Sequence, residues 1–501
     1  MAVGLLIIFA ISLIVFYNNF YKRRNLPPGP TPLPIVGNRL TLYLSKHWPD
    51  TFLTWKQQYG KMFTYWSGET PYIAIAEYKL ANEMFVKNAD IFFDRIQFGM
   101  LDKITKGGSY GLLFTGGALA REHRRFGIKI FKDFGMGKSA MQTTIIAETQ
   151  VMLDSINKEI NLHDEVDIKP FTDIAVSSVI NVLMFGYRFT ENNNEDKFRV
   201  WKKQSEDVNR LFFHSAILLW STDENAYKYP FCKGPCEEFI QAMKALSASI
   251  MHEINVHKQR IEVEGKTEAD DYVDAYLLER QRRLQNNEDA SIYSEEQLVA
   301  IALDFWFAGQ VTMTNTVCWC IAFMLHNPKV QEKMVEELDR VVGSDRIITM
   351  SDRNELPYMN AVINETQRRT NLGGENVARK VGQDCEFGGY SFKKGQHVVP
   401  QISVFLEDPE VFENPKDFNP ERFLENGKLK SYDENVPFGM GKRSCMGESM
   451  AKMELFIFLA NLFNQFTFKA GSEIPELIKA DSGGGLTIAP YKCIVQRRRE
   501  L

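Results

Sequence analysis

Residues 298–326 form an almost unbroken apolar stretch, LVAIALDFWFAGQVTMTNTVCWCIAFMLH. Ser294 and Gln297 precede it with the spacing of a capping box, and Pro328 follows it closely. The pattern predicts one long helix that is apolar on every side, which must be either buried or embedded in a bilayer. Because Asp304 lies within it and an acid in mid-membrane is costly, we expect a buried helix around which the rest of the chain packs.

The first 21 residues, MAVGLLIIFAISLIVFYNNFY, carry no charge and are followed by Lys22, Arg23 and Arg24. A helix of that length spans about 30 Å, the thickness of a bilayer's hydrocarbon core. A cleaved signal peptide usually has its positive charges before the apolar stretch, whereas here they follow it. We therefore expect residues 1–21 to be an uncleaved transmembrane anchor, with the body of the chain in the cytosol. Residues 22–38, a basic stop and a proline-rich segment, predict a short rigid hinge.

Composition excludes several classes of protein. The 501-residue chain has 44% hydrophobic and 25% charged residues and a formal net charge of −5. These values are typical of a globular protein with a sizeable core, and the acidic excess argues against a nucleic-acid partner. The seven cysteines are scattered, without a Cys-x-x-Cys pair, which argues against a zinc knuckle or a disulfide framework. We expect most of them to pack as small hydrophobes in a reducing compartment.

Cys445 differs from the other cysteines because it lies in a glycine-rich loop, PFGMGKRSCMG, at residues 437–447. A disulfide, a zinc site, a nucleophile and a haem ligand are its candidate roles. Glycines let the backbone approach a flat group closely and adopt turns that other residues resist. The segment that follows, GESMAKMELFIFLANLFNQF, predicts a helix that begins just after the cysteine. The helix dipole and free N–H groups at that position favour a thiolate over a thiol.

The loop resembles the haem-thiolate loop of the cytochrome P450 monooxygenases, Phe-x-x-Gly-x-Arg-x-Cys-x-Gly. Its five defined positions are filled by Phe438, Gly441, Arg443, Cys445 and Gly447. The resemblance implies a mainly α fold with small β-sheets, in which residues 39–501 form a single haem-thiolate catalytic domain that binds haem b. Cys445 would be the axial ligand of the iron, and Arg443 would pair with a haem propionate.

Further segments resemble the same family in the expected order. ETQR and FNPERF supply Glu365, Arg368 and Arg422. The resemblance implies that these three residues form a buried ionic cluster that locks the haem-side core. By the same resemblance, Arg124 and Arg379 would help to anchor the haem.

AGQVT at residues 308–312 resembles the oxygen-activating turn of the family. Ala308, Gly309 and Thr312 are therefore the predicted catalytic residues. The Thr312 hydroxyl is expected to bond the carbonyl of Ala308 and so to open the helix where oxygen is bound.

Three positions depart from the family pattern. Val311 stands where the family has an acid that helps to relay protons. Ala120 stands where the family has a Trp that binds a haem propionate. Ala378 stands where relatives often have a proline near the substrate. Asp304, two helical turns before Thr312, is either a substitute proton relay or a satisfied buried acid. Water ordered by Thr312 is a further candidate proton carrier.

The resemblance implies a monooxygenase that inserts one atom of O2 into a small apolar molecule of the xenobiotic, steroid or fatty-acid class. Because no Rossmann-type Gly-x-Gly-x-x-Gly follows a strand, electrons would come from an NADPH-dependent flavoprotein reductase, with cytochrome b5 as a further possible partner. The anchor would hold the enzyme in lipid at the endoplasmic reticulum membrane. The departures leave two alternatives: a haem-binding protein without oxygen activation, and a reductase-independent enzyme that rearranges peroxides.

The resemblance also indicates where partners would bind. Substrate contacts are expected from the 98–115 loop, a 205–220 helix, Ala308 with Thr312, and residues 486–488. A basic face near Lys442 is expected to dock the reductase.

Overall fold

The computed structural model describes residues 3, 9, 12–45, 47–135, 139–212, 214–221, 225–372, 377–478 and 487–499. Within these residues the protein is mainly helical with small sheets, as expected from the sequence. Most of the first half of the predicted anchor, and Leu486 among the predicted substrate contacts, lie outside the described residues. In the part of the chain that is described, no helix combines the length and the apolar character needed to cross a bilayer.

The α-helices are numbered in chain order over the described residues. They are α1 (Arg39–Leu44), α2 (Trp48–Tyr59), α3 (Tyr78–Asn82), α4 (Met100–Lys106), α5 (Gly117–Asp133), α6 (Ser139–Glu159), α7 (Lys169–Phe185), α8 (Glu195–Phe212), α9 (Ser215–Trp220), α10 (Pro230–Glu262), α11 (Tyr272–Gln285), α12 (Glu295–His326), α13 (Pro328–Val341), α14 (Pro357–Thr370), α15 (Ile402–Leu406) and α16 (Glu448–Gln465). Short 3₁₀ segments lie at Ala226–Lys228, Met350–Glu355, Pro420–Phe423 and Gly441–Arg443, and π-helical segments at Tyr17–Tyr21 and Glu83–Lys87.

Helix α12 is the predicted central helix, and its burial is confirmed. It packs against α7, α10, α14 and α16, and most of its side chains are buried on all sides. The Ser294 hydroxyl caps it by accepting the N–H of Gln297 at 3.2 Å. The reciprocal half of the predicted capping box is wrong, because the Gln297 side chain instead exchanges two hydrogen bonds with the backbone of Gly111, at 2.9 and 3.2 Å. The cap therefore also ties α12 to the segment before α5.

A five-stranded sheet flanks the helices, with its strands in the order β1-β2-β7-β4-β3. Strands β2 and β7 are parallel, whereas the other neighbouring strands are antiparallel. Three two-stranded ribbons, β5-β6, β8-β9 and β10-β11, complete the β-structure of the described residues. The strands are β1 (Met62–Ser67), β2 (Thr70–Ile75), β3 (Asp94–Arg95), β4 (Arg379–Lys380), β5 (Cys385–Phe387), β6 (Tyr390–Phe392), β7 (His397–Pro400), β8 (Leu424–Glu425), β9 (Lys428–Leu429), β10 (Phe466–Ala470) and β11 (Cys493–Arg497).

The predicted continuous helix over residues 205–220 is wrong. Helix α8 ends at Phe212, and α9 begins at Ser215, where the His214 ring accepts the N–H of Ala216 at 3.2 Å. A side-chain acceptor at that position satisfies an N–H group at the start of a separate helix. The predicted 98–115 loop likewise contains a short helix, α4.

The cysteines behave as the sequence predicted. Five of them, Cys232, Cys236, Cys318, Cys320 and Cys493, are buried, and none of the seven forms a disulfide. Cys385 is half-buried, and Cys445 alone is exposed.

Candidate functional site

A cavity of about 410 Å³ lies between the Cys445 loop and α12. Phe438, Cys445 and Gly447 border it on one side, and Ala308 and Thr312 on the other. The rest of its wall is mainly apolar and includes Phe131, Ile180, Leu183, Phe305, Met313 and Leu455. The fold thus brings the predicted thiolate loop and the predicted oxygen-activating turn to opposite walls of one cavity.

The Cys445 loop is held in a closed turn. The Cys445 N–H donates to the carbonyl of Phe438 at 2.8 Å, and α16 begins at Glu448, three residues after the cysteine. The Cys445 side chain is exposed to the cavity, but the surrounding protein desolvates it and raises the pKa of its thiol. The backbone N–H groups of Gly447 and Glu448 and the Arg124 charge oppose that shift without prevailing, contrary to the thiolate expected from the sequence. Because a metal binds the thiolate, metal binding at this site would release the thiol proton.

Gly441 is required by the backbone rather than by the cavity. Its φ of +67° lies in the left-handed region, and a Cβ there would stand 1.9 Å from the carbonyl oxygen of Phe85. The loop therefore packs directly on the Glu83–Lys87 segment, and any side chain at residue 441 would push it away.

Arg443 connects the loop to the segment before α5. One of its terminal nitrogens donates to the carbonyl of Thr115 at 2.8 Å, and the other to the carbonyls of Leu112 and Leu113 at 2.9 and 3.1 Å. Its Nε is buried and has no hydrogen-bond partner within the described residues. Burial and the neighbouring Arg124 and Arg379 lower the pKa of Arg443 to about 9.

Arg379 and Arg124 each donate only one hydrogen bond to the loop. Arg379 donates to the carbonyl of Met440 at 2.6 Å, and its Nε and Nη1 have no partner in the part of the chain that is described. Burial lowers its pKa to about 9. Arg124 donates to the carbonyl of Ser444 at 2.7 Å, and burial lowers its pKa as well. Ala120, in the Trp slot one turn earlier on α5, is fully buried.

Arg95 is a fourth arginine on the same cavity wall and, like Arg379 and Arg443, it is buried. It donates to the carbonyl of Val377, and its Nε has no partner among the described residues. Burial and the charges of Arg443, Arg379 and Arg124 lower its pKa well below 12.5. In strand pairing it lies directly opposite Arg379, across β3 and β4.

The four arginines provide the test of whether this cavity fits a haem. Within the described residues none of them forms an ion pair, although buried arginines normally pair with an acid. Four cations, three of which have free buried N–H groups in the described structure, suit a group that carries two carboxylates, and Cys445 on the same cavity supplies a sulfur ligand. The donor set therefore fits iron protoporphyrin IX with its two propionates.

The oxygen-side wall is formed by α12. The Thr312 hydroxyl donates to the carbonyl of Ala308 at 2.6 Å, the bond expected from the sequence. Two more side chains, Asn315 and Thr316, also bond carbonyls four residues back, at 2.7 and 2.8 Å. Such bonds compete with the helical ladder and loosen this part of the helix. Val311 is buried and offers no proton.

Asp304 also borders the cavity, but it is not a free acid. Its Oδ2 accepts the backbone N–H groups of Leu112 and Leu113 at 2.6 and 2.8 Å. This contact favours the second of the two roles that the sequence left open, a satisfied structural acid.

The buried ionic cluster is assembled away from the cavity. Arg368 forms a two-pronged pair with Glu365 at 2.7 and 2.8 Å, and Arg422 Nε donates to the same carboxylate at 3.2 Å. The side chains of Glu365 and Arg368 are both 0% exposed. The N–H of Asn419 adds a further bond to Glu365 at 2.9 Å, so the cluster joins α14 to the segment that leads to the cysteine loop.

Comparison with known proteins decides the family. The family model described as Cytochrome P450 matches residues 27–495. The chain belongs to the cytochrome P450 family. Similar relatives include Cytochrome P450 2J5 of Mus musculus, 31% identical over 98% of this chain and 96% of that protein. Cytochrome P450 2U1 of Homo sapiens is 32% identical over 94% of this chain and 88% of that protein.

As a cytochrome P450, the protein is a haem-thiolate monooxygenase that binds haem b and takes electrons from a reductase. Its reaction consumes O2 and a small-molecule substrate of the xenobiotic or steroid class. The fold, the family and the cofactor expected from the cysteine loop are therefore confirmed.

Arg95 is the residue that sequence reasoning missed in this cytochrome P450. No motif marks it, because its place in the cavity depends on a two-residue strand that pairs with Arg379 from a distant part of the chain. The available signal was the sequence FFDRI, in which an arginine stands among bulky apolar residues. An arginine in that setting is expected to be buried and therefore to need a partner.

Proposed function

We propose that Cys445 is the axial ligand of the haem iron, with Arg95, Arg124, Arg379 and Arg443 around the propionates. The observation that carries this proposal is the group of four arginines, three buried and Arg124 half-buried, that lack carboxylate partners in the described structure and border the same cavity as Cys445. Phe438, Gly441 and Gly447 would shape the loop against the ring. A haem bound there supplies the activation of O2 and the transfer of one oxygen atom to the substrate.

The residues of α12 would control protons and water on the oxygen side. Thr312 would orient water through its hydroxyl, which is anchored on Ala308, while Gly309 leaves room for it. The apolar wall would exclude bulk water and so strengthen the electrostatic effect of these few polar groups. Glu365, Arg368 and Arg422 would hold the haem-side core rigid.

The substrate would be an apolar small molecule that lies under an aromatic cluster. Phe98, Phe114 and Phe212 form this cluster, with ring centroids 4.7 to 6.4 Å apart. It joins the 98–115 segment to the end of α8, two of the four regions from which substrate contacts were predicted. Aromatic side chains of this kind bind apolar and flat ligands by area and by ring packing.

Residues 1–21 would anchor the protein in the endoplasmic reticulum membrane, residues 22–38 would form the hinge, and residues 39–501 the cytosolic catalytic domain. Two observations support this division. Leu13, Ile14 and Phe16 are at least half exposed, which is unusual for apolar side chains in water. The hinge packs on β1, where Thr64 N–H donates to the carbonyl of Pro28 at 2.9 Å.

The reductase, and cytochrome b5 as a second partner, would bind the face around Lys442. Lys442 and Arg121 are exposed there, and both pair with Asp90 at 2.6 Å. A partner would have to offer acidic groups that compete with Asp90.

The test is reconstitution of the full chain with haem and an NADPH-dependent reductase in lipid vesicles. With carbon monoxide, the reduced protein should show the strongly red-shifted Soret band of a thiolate ligand. Cys445→Ser should abolish that band, whereas the matched Cys385→Ser should keep it. An unshifted band in the unsubstituted protein would contradict the assignment of Cys445. Deletion of residues 1–21 should release the protein from membranes in alkaline carbonate, and retention there would contradict the anchor.

A further inference from the structure

We propose that Asp173 and Gln310 form a proton-entry path between α7 and α12 that takes the place of the missing acid at Val311. The path would lead from the surface near Lys202 to the helical turn that holds Thr312. The inference rests on the proposed role of Thr312.

The monooxygenase reaction consumes protons. One turnover converts RH, O2, two electrons and two protons into ROH and H2O, with the electrons supplied by the reductase. Val311 has no proton to give, and Asp304 holds two backbone N–H groups of the segment before α5. Asp304 borders the cavity, but its Oδ2 is engaged by these two bonds, so a donor that exchanges protons freely with solvent would come from a neighbouring helix.

Asp173 on α7 is such a neighbour. Its Oδ1 accepts a hydrogen bond from Gln310 Nε2 at 2.7 Å, one residue before Val311. Its Oδ2 lies 2.8 Å from Lys169 Nζ and 3.1 Å from Lys202 Nζ. The Asp173 side chain is only 6% exposed, whereas those of Lys169 and Lys202 are 23% and 15% exposed. The two lysines thus connect a buried carboxylate to solvent, at the junction of α7, α8 and α12.

Two polar atoms of the residues at this helix interface lack partners among the described residues. Gln310 Oε1 and Ser177 Oγ are both buried and have no hydrogen-bond partner in the described structure. Buried polar groups normally have a partner, and where protein supplies none, an ordered water does. Water at Gln310 Oε1 and at Ser177 Oγ would satisfy both atoms.

The position of Ser177 directs this water toward the cavity. Ser177 is one turn from Asp173 and one turn from Ile180, so all three lie on the face of α7 that meets α12. Ile180 borders the cavity and lies 3.1 Å from where a Cβ of Gly309 would be. The path would pass beside Gly309, which presents no side chain, and reach the Ala308 carbonyl to which Thr312 bonds.

The roles in this path are distinct. Asp173 would pass protons inward and recover them from solvent beside the lysines, so that its charge is unchanged after each turnover. Gln310 and Ser177 do not ionise, and they would act as positioning residues for the water.

The decisive variant is Gln310→Met, with Gln331→Met as its control. Gln331 is also a buried glutamine, and it bonds the backbone of Phe468 at 2.9 Å, far from the cavity. We expect Gln310→Met to lower product formed per NADPH at least threefold, to raise peroxide release and to increase the solvent isotope effect, with Gln331→Met unchanged in all three. Equal values for the two variants would overturn the proposal.

A second substitution tests whether Gln310 supports proton delivery or only packs the two helices. Val311→Glu in the Gln310→Met background should restore at least half of the lost coupling, because it returns an acid to the family position. Asp173→Asn should behave like Gln310→Met, and Asp173→Glu should keep most of the coupling. A defect that Val311→Glu leaves unchanged would mean that Gln310 only packs the helices.

A readout that does not depend on turnover is a high-resolution crystal structure of the holoenzyme. It should show an ordered water within 3.2 Å of Gln310 Oε1 or Ser177 Oγ, roughly the upper limit of a hydrogen bond. A dry interface would overturn the path. The role of Thr312 fails separately, if Thr312→Ala leaves coupling unchanged.

Discussion

The carboxylate of Asp304 accepts the backbone N–H of Leu112 at 2.6 Å, while the carbonyl of the same Leu112 accepts a hydrogen bond from Arg443 at 2.9 Å. Leu112 is thus bonded through its N–H to α12 and through its carbonyl to the cysteine loop. The segment before α5 is therefore a strut between the two walls of the haem cavity. A change at Asp304 should reach the haem through this strut.

Asp304→Leu should destabilise the protein more than Asp304→Asn. Leucine leaves the N–H groups of Leu112 and Leu113 unpaired, at about 1–3 kcal/mol each, whereas asparagine keeps an acceptor and should cost about 1 kcal/mol. Urea unfolding followed at the Soret band measures both values. Equal losses for the two variants would show that the bonds to the strut contribute little.

Arg95→Met should have opposite effects on the haem-free and the haem-bound protein. Removing a buried cation that faces three others should raise the free energy of unfolding of the haem-free protein. Loss of one bond to a propionate should weaken haem binding by about 1.5–3 kcal/mol, or roughly 10- to 100-fold in the rate of haem loss. Transfer of haem to an acceptor protein measures that rate, and Arg353→Met, a half-buried arginine outside the cavity, is the control. A haem-free Arg95→Met that is less stable than the parent would contradict the repulsion argument.

Glu365→Gln should be among the most damaging single substitutions in this chain. It leaves Arg368 buried without an opposite charge, which typically costs about 3–5 kcal/mol. The control is Glu421→Gln in the exposed Lys333–Glu421 pair, which should cost about 0–1 kcal/mol. Thermal unfolding and the yield of haem-loaded protein compare the two, and similar melting temperatures would refute the expectation.

The His257–Asp271 pair should make stability depend on pH near neutrality. The His257 ring nitrogens lie 2.7 Å from the carbonyl of Glu253 and 2.9 Å from the carboxylate of Asp271, an arrangement of two acceptors that favours the protonated ring. Burial opposes this charge, but the Asp271 hydrogen bond and charge prevail and raise the pKa of His257 above 6.5. The pair therefore contributes its full stability below pH 6.5 and loses it as the pH rises through the folded pKa.

Urea unfolding between pH 6 and pH 9 tests this dependence. The stability advantage of the parent over His257→Gln should shrink with rising pH, by about 1.4 kcal/mol for each unit of pKa shift. A constant difference between parent and His257→Gln would mean that the ring is not charged in the folded protein.

The sequence predicted most reliably the features that depend on neighbouring residues. The cap at Ser294, the end of α12 near Pro328 and the helix after Cys445 are set by local spacing, and the structure has all three. Val311 was visible as a departure for the same reason, since its slot is defined by Ala308 and Thr312 beside it.

Features that depend on distant contacts were missed or left open. Gln297 bonds Gly111 instead of its own helix start, and nothing within the 294–297 spacing shows that competitor. Arg95 and Asp173 gain their roles from Arg379 and Gln310, partners that only the folded chain brings near. Whether Asp304 is a proton relay or a structural acid could likewise be judged only from the position of Leu112 in the folded chain.

The parallel pairing of Ile73 in β2 with Val398 in β7 has a consequence for synthesis of the chain. The hairpin of β1 and β2 can form early, but its outer edge waits for a strand made more than half a chain later. At ~5–20 residues per second, a ribosome needs on the order of tens of seconds to deliver it. During that time one edge of β2 is unpaired in the nascent chain, and its free N–H and C=O groups can pair with strands of other chains. Production of this protein should therefore depend on chaperones that cover unfinished sheets and should improve when translation is matched to their supply.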